Sequence, residues 1–140
     1  MSKTIKVLSD AELLAAPESE YMSEAQLLSF KQRLLDEEKT LRDAAESTTH
    51  HLQENEAAPD PTDRASAEEE HTLELRVRDR ERKLLKKIAQ ALKRIEDGSY
   101  GWCEESGEPI GIARLLARPT ASLTLEAQER HEQRKRQFRA

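Results

Sequence analysis

Two apolar series at helical spacing, broken once by a short proline-bearing stretch, constrain this chain more than any other feature. Upstream of the break, apolar residues recur at Leu27, Phe30, Leu34 and Leu41, and the run continues through Ala45 and Thr48 to Leu52. Downstream they recur at Leu73, Val77, Leu84, Ile88, Ala91 and Ile95. Steps of three and four define a helix with one apolar stripe. Neither stripe can be buried alone and the connection is short, so the two runs are expected to fold back as an antiparallel hairpin. At about 1.5 Å per residue, roughly thirty residues per arm would span about 45 Å. Between them, Asp60-Pro61-Thr62-Asp63-Arg64-Ala65 forms an acidic tip.

The break and the boundaries follow from local chemistry. Ala57-Ala58-Pro59 cannot continue a helix, because proline lacks a donor and restricts its predecessor. Asp60 as N-cap, Pro61 at the first helical position and Asp63 at the third then start the second arm. Acids at these places help to start any helix, so helix initiation alone accounts for their residue types. Ser23-Glu24-Ala25-Gln26 has the capping-box pattern at the start of the first arm, with Met22 and Leu27 at the positions of a hydrophobic staple. Ser9-Asp10-Ala11-Glu12 repeats that pattern ahead of a short helix closed by Pro17. The second arm ends at Asp97-Gly98, a glycine C-cap. Beyond it the chain turns often, with a short helix over 112–117 and a further helix from about Leu123 to Phe138.

Composition sharpens this. With 36% apolar residues, 36% charged residues and few aromatics, 140 residues suit a narrow helical seam better than a large core. The net charge of −5 argues against general nucleic-acid affinity but hides an asymmetry. Residues 36–70 hold twelve acids and three bases, a net of −9; residues 76–94 hold nine bases and two acids, a net of +7. Such a division suits a partner with complementary surfaces, although most of these charges singly are solvated helix faces. A single cysteine excludes an internal disulfide and fits a reducing compartment. Neither a membrane span nor a signal peptide is expected, which points to the cytoplasm.

Four positions after Gly98 fall at the spacing of a CxxC–x17–CxxC zinc ribbon, but they read Cys103, Ser106, Thr124 and Ala127. One thiolate cannot hold structural zinc, so no zinc is expected. His50, His51 and His71 are read as surface histidines rather than as a metal site. No activated serine, cysteine–histidine pairing or phosphate-binding glycine loop suggests an enzyme.

The chain resembles the DksA family of bacterial transcription factors from Tyr21 onward. The resemblance rests on Tyr21-Met22-Ser23-Glu24-Ala25-Gln26, the acidic tip, Glu68-Glu69-Glu70 and Leu73-Glu74-Leu75-Arg76. It continues through Arg78-Asp79-Arg80-Glu81-Arg82-Lys83, Gly111-Ile112 and Ala117-Arg118-Pro119-Thr120. It implies a mainly α fold: an N-terminal segment (1–22) packing on the base, a coiled-coil hairpin (23–97) with its tip near 55–66, and a degenerate zinc-ribbon-like globular region with a C-terminal helix (98–140). It further implies a regulator that binds RNA polymerase without sequence-specific DNA contacts. The hairpin would enter the secondary channel and, with ppGpp, destabilise open complexes at stable-RNA promoters while assisting some biosynthetic ones.

By the match, Asp60, Asp63 and Ala65 are the tip residues, and Arg80, Leu84 and Lys87 line the ppGpp site formed with polymerase. A family lysine appears here as Gln128, which is expected to weaken that response. The replaced cysteines resemble a cysteine-poor class within the family. Its base would be held by packing of Trp102, Ile110, Leu115 and Leu123, and by hydroxyl hydrogen bonds, and it would fold independently of zinc as a monomer. Two other readings stand beside this one. A transcript-cleavage factor similar to the Gre class also carries an acidic-tipped coiled coil, and a structural coiled-coil adaptor would leave the tip acids dispensable.

Overall fold

The computed structural model describes residues 6–55 and 61–139. Helices α1 (Asp10–Ala15), α2 (Glu24–Asn55), α3 (Pro61–Asp97), α4 (Ile112–Ala117) and α5 (Leu125–Arg139) follow one another, with a 3₁₀ turn at Glu18–Glu20 before α2. The described residues contain no strand, only an isolated antiparallel bridge between Trp102 and Pro109. The chain divides into two compact units. One comprises residues 1–35 and 89–140, the base; the other is residues 36–88, the hairpin.

The helix ends that can be compared obey the capping chemistry of the sequence, with one exception; the expected Asp60 cap of α3 lies outside the described residues. Ser9 caps α1 in a complete capping box with Glu12. Ser23 caps α2, its Oγ accepting from the Gln26 N–H at 3.4 Å. The expected reciprocal bond does not form: Gln26 Oε1 accepts from the N–H of Met22 instead, at 2.9 Å. Met22 stands at φ +59, in the left-handed region that side chains beyond glycine rarely adopt. Its thioether lies where a Cβ on Gly101 would be, 2.3 Å from that position. Gly98, at φ +84, ends α3 as expected, and the N–H groups of Ser99 and Tyr100 both bond the carbonyl of Arg94.

In the base, Leu13, Phe30, Leu34, Ala91, Tyr100 and Leu115 are fully buried, and Ile110 nearly so. Tyr100 anchors this core: its ring lies 5.7 Å from that of Phe30, and its hydroxyl donates to the carbonyl of Pro119 at 2.7 Å. The N-terminal segment joins it, with α1 packing on α4, the Leu8 N–H bonding Ser29 Oγ at 2.7 Å, and Arg33 paired with Asp10. Trp102, expected in the core, is instead 39% exposed, and Leu123 is half-buried. Tyr100 takes the inner place because its hydroxyl finds a carbonyl there.

In the hairpin, α2 and α3 pack together as two arms. Leu41 and Ala45 lie on the inner face of α2, as expected. On α3 the expected stripe holds at Ile88 and Ala91, which are buried, and at Leu84 and Ile95, which are half-buried, but fails toward its start. Leu73 is 58% and Val77 46% exposed, while Ala67, His71, Glu74, Glu81, Leu85 and Ile88 turn inward. Ala67, Glu74, Glu81 and Ile88 are seven residues apart, a heptad seam. The helix keeps that register through two glutamates rather than rotating to bury Leu73 and Val77. Thr48 and Leu52 lie outside the residues whose side chains are described.

Candidate functional site

Because the seam claims Glu74, Glu81, Leu85 and Ile88, the opposite positions of α3 are pushed outward, and these carry its cations. Arg76, Asp79, Arg80, Lys83, Leu84 and Lys87 line a shallow depression of about 350 Å³. Arg76, Arg80, Lys83 and Lys87 are exposed, and Leu84 forms a half-buried apolar patch among them. Asp79 is held by Lys83 at 3.1 Å and by Arg82 at 2.6 Å. Those two partners, Lys83 first, keep its carboxyl below the usual carboxylate range. Among the described residues no acid pairs with Arg76, Arg80 or Lys87. The depression therefore offers uncompensated positive charge at three points around an apolar spot, an arrangement suited to a polyanion with a flat apolar part. Arg80, Leu84 and Lys87, singled out in the sequence, are brought together here. Arg76 and Lys83 join them and had carried no separate signal beyond the basic run.

Of the tip residues, Asp60 lies outside the described residues, as does the side chain of Asp63, whose backbone belongs to the first turn of α3. Ala65 is exposed on the same helix.

The four zinc-ribbon positions have taken other structural tasks. Thr124 caps α5, its Oγ1 accepting from the Ala127 N–H at 3.2 Å and its carbonyl from the Gln128 N–H at 2.9 Å. Ala127 packs its methyl in the core with no exposure. Ser106 Oγ accepts from the N–H of Glu108 at 3.4 Å. Around them the turn is closed by Cys103 N–H to the Glu108 carbonyl at 2.8 Å and Gly107 N–H to the Cys103 carbonyl at 2.9 Å. Cys103 itself is 3% exposed. Burial pushes its thiol up, but the Ser106 hydroxyl and the backbone N–H groups of Ser106, Thr124 and Glu105 outweigh this and bring it down to about 7. These donors converge on the sulfur. The ligand set does not fit zinc: it holds one thiol, one hydroxyl committed to a helix cap, one turn hydroxyl and a methyl group. Among the described residues no group of three metal-ligating side chains assembles, the histidines included.

A helical hairpin with a heptad seam, an outward basic face and a small hydrogen-bonded base defines a binding protein of the coiled-coil class. Comparison with known proteins makes this specific. A profile described as the N-terminal domain of the DnaK suppressor protein DksA matches residues 26–95, and one described as a prokaryotic dksA/traR C4-type zinc finger matches residues 98–133. The chain is 58% identical over 120 residues to the RNA polymerase-binding transcription factor DksA of Caulobacter vibrioides, covering 85% of this chain and 84% of that one. It is 51% identical over 123 residues to the factor of the same name from Escherichia coli strain K12, covering 87% and 82%. The solved structure of transcription factor DksA2 from Pseudomonas aeruginosa aligns with a TM-score of 0.84 and 48% identity, over 91% of this chain and 99% of that one. The chain belongs to the DksA family. Its relatives are named as polymerase-binding regulators, not as enzymes. No helix among the described residues is long and apolar enough to cross a membrane.

Proposed function

We propose that this protein binds bacterial RNA polymerase in the cytoplasm, as a monomer and without sequence-specific DNA contacts, and regulates initiation from the secondary channel. The hairpin carries Asp60, Asp63 and Ala65 toward the catalytic centre, where carboxylates near a Mg²⁺ site and a mobile helix shift the stability of weak promoter complexes. Stable-RNA promoters are inhibited and some biosynthetic promoters are assisted. The basic depression on α3 is the observation that carries this reading. Arg80, Lys87 and their neighbours, set around Leu84, match the phosphates and the flat base of ppGpp held against polymerase. Gln128, which bonds Glu132 at 3.2 Å, replaces a cation and leaves the ppGpp response weaker. The base performs these tasks without zinc.

In vitro transcription from a stable-RNA promoter, with chelator present, tests the proposal. Wild type inhibits, ppGpp deepens the inhibition, Asp63→Asn abolishes it, and Arg80→Ala removes only the ppGpp increment. Equal inhibition by wild type and Asp63→Asn would refute the tip's role. Activity restored only by added zinc would refute the independence from zinc.

A further inference from the structure

A cleft of about 460 Å³ opens in the base on the side of the N-terminal segment, and none of its lining residues belongs to the basic depression of α3. Pro17, Glu18, Tyr21, Gln26, Trp102 and Pro109 are among its lining. Two aromatic rings form its wall. Tyr21 and Trp102 meet edge to face with centroids 5.3 Å apart and planes at 88°. Their placement is fixed with unusual care. The Tyr21 hydroxyl donates to the Gly101 carbonyl at 2.5 Å and accepts from the Gly111 N–H at 2.9 Å. The next residue, Met22, occupies its left-handed conformation against Gly101, whose missing side chain leaves room for it. Trp102 remains 39% exposed after all of this positioning, so part of its indole is open where it lines the cleft.

The charge of the lining selects an occupant. Glu18 is its one acidic residue, with no base among the lining groups. An open indole beside one carboxylate attracts a cation, and a guanidinium best satisfies both, stacking on the ring while its fork meets the carboxylate. Gln26, 1% exposed, has its Oε1 committed to the Met22 N–H, so its amide nitrogen is the group left to offer the cleft. That donor suits a backbone carbonyl, and hence an arginine within a peptide rather than a free amine.

We infer that the Tyr21–Trp102 cleft of the base docks an arginine side chain presented by a protein partner. This site is separate from the hairpin surface on which the proposed function rests, and its test needs no polymerase.

Trp102 is the sole tryptophan, so its emission reports on the cleft directly. The full-length protein is titrated with acetyl-Gly-Arg-Gly-amide, with the citrulline analogue and with acetyl-Pro-Pro-Pro-amide, for both wild type and Glu18→Gln. The arginine peptide should shift Trp102 emission saturably. Replacement by citrulline should weaken binding by at least about 3-fold, from loss of the cation over the ring. Glu18→Gln should weaken it by about 2- to 5-fold, the range of an exposed ion pair. Equal binding of the citrulline peptide, tighter binding of the proline peptide, or no saturable shift would overturn the inference. So would an emission change on concentrating the protein alone, which would assign the cleft to a second copy of the chain.

Discussion

The thiol of Cys103 makes a measurable pH dependence out of a site that has lost its metal ligands. Its folded value of about 7 compares with an ordinary value of 9.0. At about 1.4 kcal/mol per unit, a difference of two units converts to at most about 2.7 kcal/mol. The turn around it is open to water at Glu104, Glu105 and Ser106, and screening brings this to about 1–2 kcal/mol. The folded value is depressed, so the contribution is fully present above about pH 9 and is lost as the pH falls through 7. Cys103→Ser removes the titration while keeping a small polar side chain. Thermal melts of both proteins, reduced, at pH 6, 7, 8 and 9 isolate the effect, since every other titrating group is shared. The wild-type advantage should grow by about 3–6 °C from pH 6 to pH 9, at roughly 3 °C per kcal/mol for a chain of this size. A gap that stays flat, or shrinks as the pH rises, would show that the surrounding N–H groups do not stabilise a thiolate.

Two further outcomes test the register of α3 and the role of the zinc-ribbon positions. Ile88→Ala should destabilise the protein by about 2–4 kcal/mol in chemical denaturation, whereas Leu73→Ala should cost under about 1 kcal/mol; comparable losses would mean that Leu73 belongs to the seam. Incubation with a strong chelator should leave the melting temperature within about 1 °C, as expected of a donor set with a single thiol; a clear fall would restore the metal to the base.

Much of the architecture is legible in the sequence because it rests on local chemistry. Pro61 at the start of α3, Gly98 at its end, and the Ser9 and Ser23 caps each serve a backbone requirement set within a few residues. The phase of α3 is harder to read. Leu73 and Val77 extend the apolar series of Leu84, Ile88, Ala91 and Ile95 at helical spacing, and only the heptad spacing from Ile88 back through Glu81 and Glu74 argues against these two. Hydropathy misplaces Leu73 and Val77, since continuity of packing outweighs the residue types in the arms. Trp102 misleads in the same way: its size suggests core, but Tyr100 has a hydroxyl that reaches Pro119 and takes the inner position. The outward face of α3 follows from the seam once that is known, so Arg76 and Lys83 become visible only with the register. Thr124 as a helix cap is legible in the sequence, for a threonine directly ahead of a helical run is a common N-cap.

The glutamates in the seam also bear on how the protein opens. Among the described residues of the hairpin unit, only Glu81 and Ile88 are buried, whereas the base buries a continuous apolar cluster around Tyr100. Amide hydrogens in α2 beyond Leu35 and in α3 before Ile88 should therefore exchange through local openings of low free energy, long before those of the base. A partner that grips this unit takes hold of its least protected backbone and slows that exchange. Part of the binding free energy is then spent on ordering two helices, so affinity can be tuned by substitutions in the seam that never touch the partner.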